Sequence, residues 1–312
     1  MEATRHSGPD VIDYTPAAAV TAGDVIQLPD GRAGIPATDI AAGRLGSVQV
    51  TGVFKCTKTA DIVLLDGGPV WWDTSAGAVH FRPVSGQQDF YLGTVQGDAA
   101  SDATVCYVRL NELPRNTVDL RSGLWTEEAT NGLGVTQLVG GGVKLSFDAV
   151  AEAAQAAVLA GHGVAVSANP ILRARLAVHD IGDDAALDIT AGLASGSHAT
   201  DFQSVDEFAA IGLDGAALSI NVQSDDGTTD VAPVDSTIDA VDDTEFELWI
   251  DARDLTDVKI YVDGVLAVPD GTTLVLSAAS GPLYPIVHLE KTNNDTTADV
   301  RVSVLEVRTA DQ

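Results

Sequence analysis

Cysteine, methionine, lysine and aromatic side chains are all sparse in this chain, and each scarcity excludes something. Its 312 residues include two cysteines, one methionine and 5% aromatics. Two thiols, Cys56 and Cys106, allow one bridge but no disulfide framework, so the fold must rest on buried apolar surface. Whether they pair stays open from sequence; Cys106 lies in an apolar run with Val105, Tyr107 and Val108 and reads as a buried strand thiol. No run approaches the roughly 18 apolar residues of a membrane span. The opening MEATRHSGPD has no apolar core of signal-peptide type, so a soluble protein without a secretory signal is expected. Positive charge is short as well. The 17 basic residues face 45 acidic ones, a net charge of −28. Residues 1–112 carry 7 basic and 13 acidic residues, net −6, and residues 113–312 carry 10 and 32, net −22. Such a surface repels phosphate backbones and anionic lipid, so neither nucleic acid nor membrane is an expected partner. The excess serves solubility or suits a salt-rich habitat.

Catalytic and metal motifs are also missing. None of the six histidines stands in a His-Glu-x-x-His arrangement, no Gly-x-Ser-x-Gly elbow occurs, and Gly140-Gly141-Gly142 lacks the Lys-Ser/Thr of a phosphate loop. That glycine run reads as a turn before a strand. His179-Asp180 reads as an edge contact, since one neighbouring pair specifies no dyad. Glycosidases need two carboxylates flanking one bond. Glu247 and Asp251 lie on one strand with Trp249 between them and no third acid, a polar strand face. No catalytic residue and no cofactor are expected, and the protein reads as a non-enzyme. Calcium is the one metal worth weighing. Asp225, Asp226 and Asp230 gather oxygens around Gly227, and Asn293-Asn294-Asp295 does likewise, but neither has EF-hand spacing, and Asx-Gly runs are first of all turn formers.

What is present is a β pattern. Turn signals recur at Pro29-Asp30-Gly31, Asp66-Gly67-Gly68, Thr74–Gly77 and Gly97-Asp98, a spacing that argues a small all-β barrel or sandwich over residues 11–110. Trp71 and Trp72 are adjacent, so in a strand they face opposite sides; one belongs to the core and the other to an interface or a loop-covered surface. Asn111–Thr117 (NELPRNT) is polar, contains Pro114 and precedes a rise in charge density, which makes it the linker. The boundaries that follow are a first domain at 1–112, a connection at 113–117 and a second domain at 118–312. In the second domain Phe246, Leu248 and Ile250 alternate with Glu247, Trp249 and Asp251. Asp263-Gly264 between apolar runs predicts a type I′ hairpin. Asp148–Gly161 (DAVAEAAQAAVLAG) has an N-cap candidate, an alanine run and a terminal Gly, and predicts at least one helical turn against its β surroundings.

Two resemblances follow from these residues. The run VIDYTPAAAVTAGDV (Val11–Val25), with the strand order after it, resembles the small β-barrel capsid cement (head decoration) proteins of tailed phages over roughly residues 1–112. FELWIDARDLTDVKIYVDGVLAV (Phe246–Val268) and PLYPIVHLEKTNNDTTADVRVSVLEV (Pro282–Val307) resemble concanavalin A-like (laminin-G-like) jelly-roll domains as they occur in phage structural proteins. The fold class implied is all-β: an N-terminal cement-type β-barrel followed by a jelly-roll β-sandwich. The first resemblance implies a virion structural protein on the outer capsid surface, assembled in the host cytoplasm. Its implied partners are the major capsid protein and two further copies of itself in a homotrimer. The acidic second domain then points outward. Since that fold also hosts lectins, glycan binding by the C-terminal domain is the alternative, a lectin-like adhesin. For shell contact the residues chosen are the polar arm Thr4, Arg5, His6 and Ser7, with Asp13 and Tyr14 of the first strand. Arg5 offers a forked donor to shell carboxylates. The competing reading of Tyr14 is a core residue.

Overall fold

Turn residues cut the chain into short strands, and the strands set every layer. The computed structural model describes residues 10–84, 88–114, 117–119, 125–131, 134–139, 141–160, 163–179, 187–199, 201–214, 218–295, 297 and 299–309. The chain divides into two units, Met1–Arg115 and Asn116–Gln312.

In the first unit β1 (Val11–Tyr14), β2 (Ile26–Gln27), β3 (Ala33–Pro36) and β4 (Gly46–Gln49) form a four-stranded sheet in the order β1-β4-β3-β2. Then β5 (Val53–Thr57), β6 (Pro69–Asp73), β7 (Ala78–His80), β8 (Phe90–Val95) and β9 (Val105–Leu110) form a five-stranded sheet in the order β5-β9-β8-β6-β7. The expected barrel is thus not closed among the described residues; two small sheets stand in its place. The strands are too short to wrap. β2 has two residues, and between β4 and β5 the chain turns at Gly52 with φ +113°. Ala33 and Ile35 of the first sheet share a core with Val70, Leu92 and Val108 of the second, and Leu28, Ile40, Val48 and Val50 make a smaller one.

Asn111 joins the two sheets. Its backbone is left-handed (φ +57°), a conformation asparagine tolerates. Its Oδ1 accepts from Ala33 N at 2.8 Å, and its Nδ2 donates to Ala33 O at 2.9 Å and Val50 O at 2.8 Å. The side chain therefore supplies what a strand neighbour would have supplied. A second internal clamp is Lys58. Its buried Nζ donates to the carbonyls of Thr59 (2.8 Å), Ile62 (2.7 Å) and Ser101 (3.3 Å), and burial lowers its pKa. Trp72 packs against the larger core, whereas Trp71 meets Tyr91 edge-on at 5.5 Å. Cys56 and Cys106 stand directly opposite each other on β5 and β9 as buried free thiols. Burial pushes their pKa values up to about 11 and about 12.

The second unit is a sandwich. Its strands are β10 (Thr117–Asp119), β11 (Trp125–Thr130), β12 (Gly134–Gln137), β13 (Val143–Ser146), β14 (Glu152–Ala160), β15 (Val164–Ala165), β16 (Pro170–His179) and β17 (Leu187–Ala194). They continue as β18 (Glu207–Asp214), β19 (Ser219–Asp226), β20 (Asp230–Asp239), β21 (Glu245–Asp251), β22 (Lys259–Val262), β23 (Val265–Leu266), β24 (Pro282–Asn294) and β25 (Asp299–Thr309). One eight-stranded sheet runs β12-β13-β25-β16-β21-β22-β23, with β10 also pairing β25. The other runs β11-β14-β24-β17-β18-β19-β20, with β15 also pairing β24. Leu172, Leu176, Leu248 and Ile250 of the first sheet meet Val158, Ile189, Ile211 and Leu289 of the second in one fully buried core. The Asp263-Gly264 turn has φ +50° and +79° and joins β22 to β23, as the dipeptide predicts.

The alanine run is a strand, which corrects the expected helical turn. β14 pairs with β11 on one side and β24 on the other. Ala154, Ala156 and Val158 face the inter-sheet core, while Ala157 and Leu159 join a second cluster on the opposite face. Two hydrogen-bonded ladders and burial on both faces outweigh alanine's local helical preference. The Asp148 carboxylate closes a local turn by accepting from Val150 N at 3.2 Å.

Candidate functional site

The residues chosen from sequence scatter. Asp13 is exposed on β1, and Tyr14 on the same strand packs partly buried against the smaller core of the first unit. Thr4, Arg5, His6 and Ser7 lie outside the described residues. Asp225 accepts from Gly227 N at 2.8 Å, and Asp226 accepts from the backbone N–H groups of Thr228 (3.1 Å), Thr229 (2.8 Å) and Ala278 (3.0 Å). These amides tie the β19–β20 turn to the loop before β24 and hold the Asp226 carboxyl below its usual range although burial opposes them. Asp230 pairs with Asp225 across that hairpin. Among the described residues no group of three His, Cys, Asp or Glu side chains is placed to hold a metal. His179 contacts Asp243 at the surface; its sequence neighbour Asp180 lies outside the described residues.

The polar face read around Glu247 is a buried charge network. Arg173 holds Glu247 through two contacts, Nε to Oε1 at 2.8 Å and Nη2 to Oε2 at 3.1 Å, and reaches Glu306 at 3.2 Å. Arg175 Nη2 donates to Glu247 Oε2 at 2.8 Å, and Trp249 Nε1 donates to Oε1 at 2.9 Å. Glu247 is 0% exposed, and although burial opposes it, the two guanidinium groups hold its carboxyl below the usual range. Every oxygen is taken, so the cluster is structural.

Two surfaces have functional character. The first is the outer face of the five-stranded sheet in the first unit. Register places Lys55 opposite Tyr107, Val53 opposite Arg109, and Tyr91 and His80 on either side of Trp71. Val53 and Tyr107 are each 51% exposed. An apolar and aromatic patch with basic side chains fits a protein contact better than bare solvent.

The second is a cleft of about 320 Å³ on the second unit, on the face of the β11–β20 sheet turned away from the inter-sheet core. Alternation puts Glu290 beside Asp188 and Gln155, and the next row holds His288, Thr190, Gly212 and Asn221. The β17–β18 connection folds over this face. Phe202 is its anchor, packing on Phe208 at 5.1 Å and His288 at 5.4 Å. Asp201 accepts from Gln203 N at 3.0 Å, and Gln203 Nε2 donates to Gln223 Oε1 at 2.6 Å. Glu290 Oε2 accepts from Phe202 N at 2.9 Å. Burial, with lesser pressure from Asp188 and Asp201, pushes the Glu290 carboxyl up to about 8, while burial brings His288 down to about 4. Their 3.4 Å approach is therefore a contact of two neutral groups near pH 7. Sequence reading missed this cleft. Its only local signal is polar residues at alternate positions of otherwise apolar strands, as in Asp188 and Thr190 or His288 and Glu290.

Residues 6–110 match the family described as phage cement protein. No curated protein matches the chain. Among solved structures, the chain is similar to the potassium-bound Emp46p carbohydrate recognition domain at 12% identity and TM-score 0.40, covering 61% of this chain and 91% of that one. It is also similar to the carbohydrate esterase vb_24B_21 from Shiga toxin-encoding bacteriophage phi24B, at 21% identity and TM-score 0.38, covering 62% and 93%. The calcium-bound exoplasmic/lumenal domain of VIP36 is similar at 12% identity and TM-score 0.40, covering 61% and 84%.

Proposed function

We propose that this chain is a non-enzymatic virion protein that binds the outside of a phage capsid and stabilises it. The observation that carries the reading is the match of residues 6–110 to the phage cement family. The partner is the major capsid protein, and the contact surface is the Val53–Tyr107 face, helped by the arm that contains Arg5. A domain of this size buries too little surface alone for lasting attachment. A homotrimer presents three copies of one patch, and three contacts reinforce one another through effective concentration. Assembly takes place in the host cytoplasm, and the acidic second unit points outward. Mixing the purified full chain with undecorated shells and sedimenting them tests this. Co-sedimentation as a trimer is expected; a chain that stays in the supernatant at micromolar concentration overturns it.

A second reading is favoured by the cleft: the outward unit binds a carbohydrate. Carboxylates, side-chain amides and the Thr190 hydroxyl line a concave site of small-ligand size. A glycan array probed with the full chain is expected to give binding that Asn221→Ala weakens.

A further inference from the structure

The five-stranded sheet of the first unit ends in an open edge. β5 is its outermost strand, and Val53–Thr57 has a ladder partner on one side, β9. Two flanking bonds fix which way its backbone faces. Leu110 N donates to Gly52 O and Lys58 N to Thr104 O, each at 2.9 Å. Bonded pairs alternate in an antiparallel ladder, so Phe54 and Cys56 bond to β9 while Val53, Lys55 and Thr57 turn their N–H and C=O groups the other way. Past Thr57 the chain's own β7 takes over, where Thr59 N donates to Val79 O at 3.0 Å. Among the described residues no backbone bond reaches the outward groups of Val53 and Lys55. An edge of this kind accepts an added strand.

The side chains beside the edge say what strand fits it. Most described cations of this chain are tied to carboxylates or carbonyls, among them Arg32, Arg173, Arg253, Lys259 and Lys291. Arg44, Lys55 and Arg109 make no side-chain hydrogen bond or ion pair among the described residues. Lys55 and Arg109 share the outer face of this sheet with Val53 and Tyr107, each 51% exposed. β5, β7, β8 and β9 contain no acidic residue, in a chain of net charge −28. At the Gly52 end of the strand pair, a cavity of about 390 Å³ is lined by Val53, Leu110, Arg109, Asn111 and Glu112.

We propose that β5 is the docking edge for an extended acidic segment of the shell protein, which adds to the sheet as a further strand. This deepens the capsid reading and rests on it. The segment bonds to the outward backbone groups of Val53 and Lys55, and its carboxylates meet Lys55 and Arg109 through charge-assisted hydrogen bonds. Every second side chain of an added strand lies over the outer face, beside Val53 and Tyr107. The cavity seats one apolar side chain at the Gly52 end. Complementary charge selects this occupant over a neutral strand. A second copy of β5 is disfavoured, since edge-to-edge pairing sets Lys55 near its own counterpart.

The test is sedimentation of the full chain with undecorated shells, with hydrogen exchange read by mass spectrometry on the free and the shell-bound chain. Slower exchange on shells is expected within Val53–Thr57. Lys55→Glu and Arg109→Glu are each expected to weaken binding about tenfold with unchanged melting. Arg44→Glu, the same charge change at the exposed turn before β4, is expected to leave binding unchanged. Raising salt from about 0.05 M to about 0.5 M is expected to weaken binding of the parent chain. A lysine on an edge strand also guards against aggregation, a role that a charge of either sign fills. Full binding by Lys55→Glu therefore overturns the proposal, as does an equal loss with Arg44→Glu. A parent chain bound at full strength with β5 unprotected overturns it and leaves the capsid reading standing. Protection of β5 that appears in the free chain and grows with its concentration makes the occupant a second copy and overturns it too. No sedimentation with shells overturns both.

Discussion

Single side chains in this protein do work that backbone pairing does elsewhere. Asn111 makes three hydrogen bonds to residues 33 and 50 from a left-handed backbone position. Its polar neighbours and Pro114 make it read as the start of a linker, and nothing local reveals a partner 78 residues away. Asn111→Ala is expected to cost about 2–4 kcal/mol, three hydrogen bonds at roughly 1 kcal/mol each; urea unfolding of the full chain measures it. Glu290 gives a prediction in pH. Its folded pKa, about 8, lies above the ordinary 4.5. The folded state therefore holds this proton more tightly, and the stability it gives is complete below 4.5 and lost as pH rises through 8. His288 works on the acid side: its folded pKa of about 4 lies below 6.5, so stability falls as pH drops between them. Glu290→Gln is expected to raise the melting temperature relative to the parent by an amount that grows from pH 5 to 8 and then levels off. A constant difference across a pH series of melting curves would show that the carboxyl is not buried as described.

At the scale of elements, local chemistry and long-range pairing divide the legibility. The Asp263-Gly264 turn and the Phe246–Ile250 alternation are written in adjacent residues, so sequence alone locates them. The alanine strand β14 is not, because its partners β11 and β24 lie at opposite ends of the second unit and only they reward an extended chain. The first unit is all-β as its turns predict, but turn spacing reports strand number and not whether the last ladder closes, so it does not separate two open sheets from a barrel. The cleft fails to show in sequence because five strands and one connection each contribute one to three residues, and register alone brings them together. Close strand approach also sets a limit. A Cβ on Gly192 would lie 2.3 Å from Ala209 O. Gly192→Val is expected to push β17 from β18 and lower stability by about 1–3 kcal/mol, read as a drop in melting temperature with loss of the cleft's ligand.

For the whole molecule, the proposed roles of attachment and display separate between the two units. Val53 and Tyr107 are in the unit that matches the cement family, and the cleft is in the other. Tyr107→Asp places a charge on the exposed aromatic face without entering the core. It is expected to reduce shell occupancy at least about tenfold while leaving circular dichroism and saccharide binding unchanged. Removal of residues 1–8 is expected to weaken occupancy less. Full occupancy by Tyr107→Asp particles, counted by densitometry of sedimented shells, would move the contact elsewhere on the first unit.

The pairing of β10 with β25 bears on how this molecule carries force. Thr117 lies opposite Arg308 and Asp119 opposite Glu306, so the strand entering the second unit runs antiparallel beside the one leaving it. Tension between the first unit and the end of β25 pulls on neighbouring ends of these two strands. Their hydrogen bonds then open one after another, as a zipper does, instead of shearing together. A load applied from outside would therefore peel β10 away first. The sandwich core stays intact while the tether lengthens, so on the proposed reading β10 is a compliant link between the shell and the second unit.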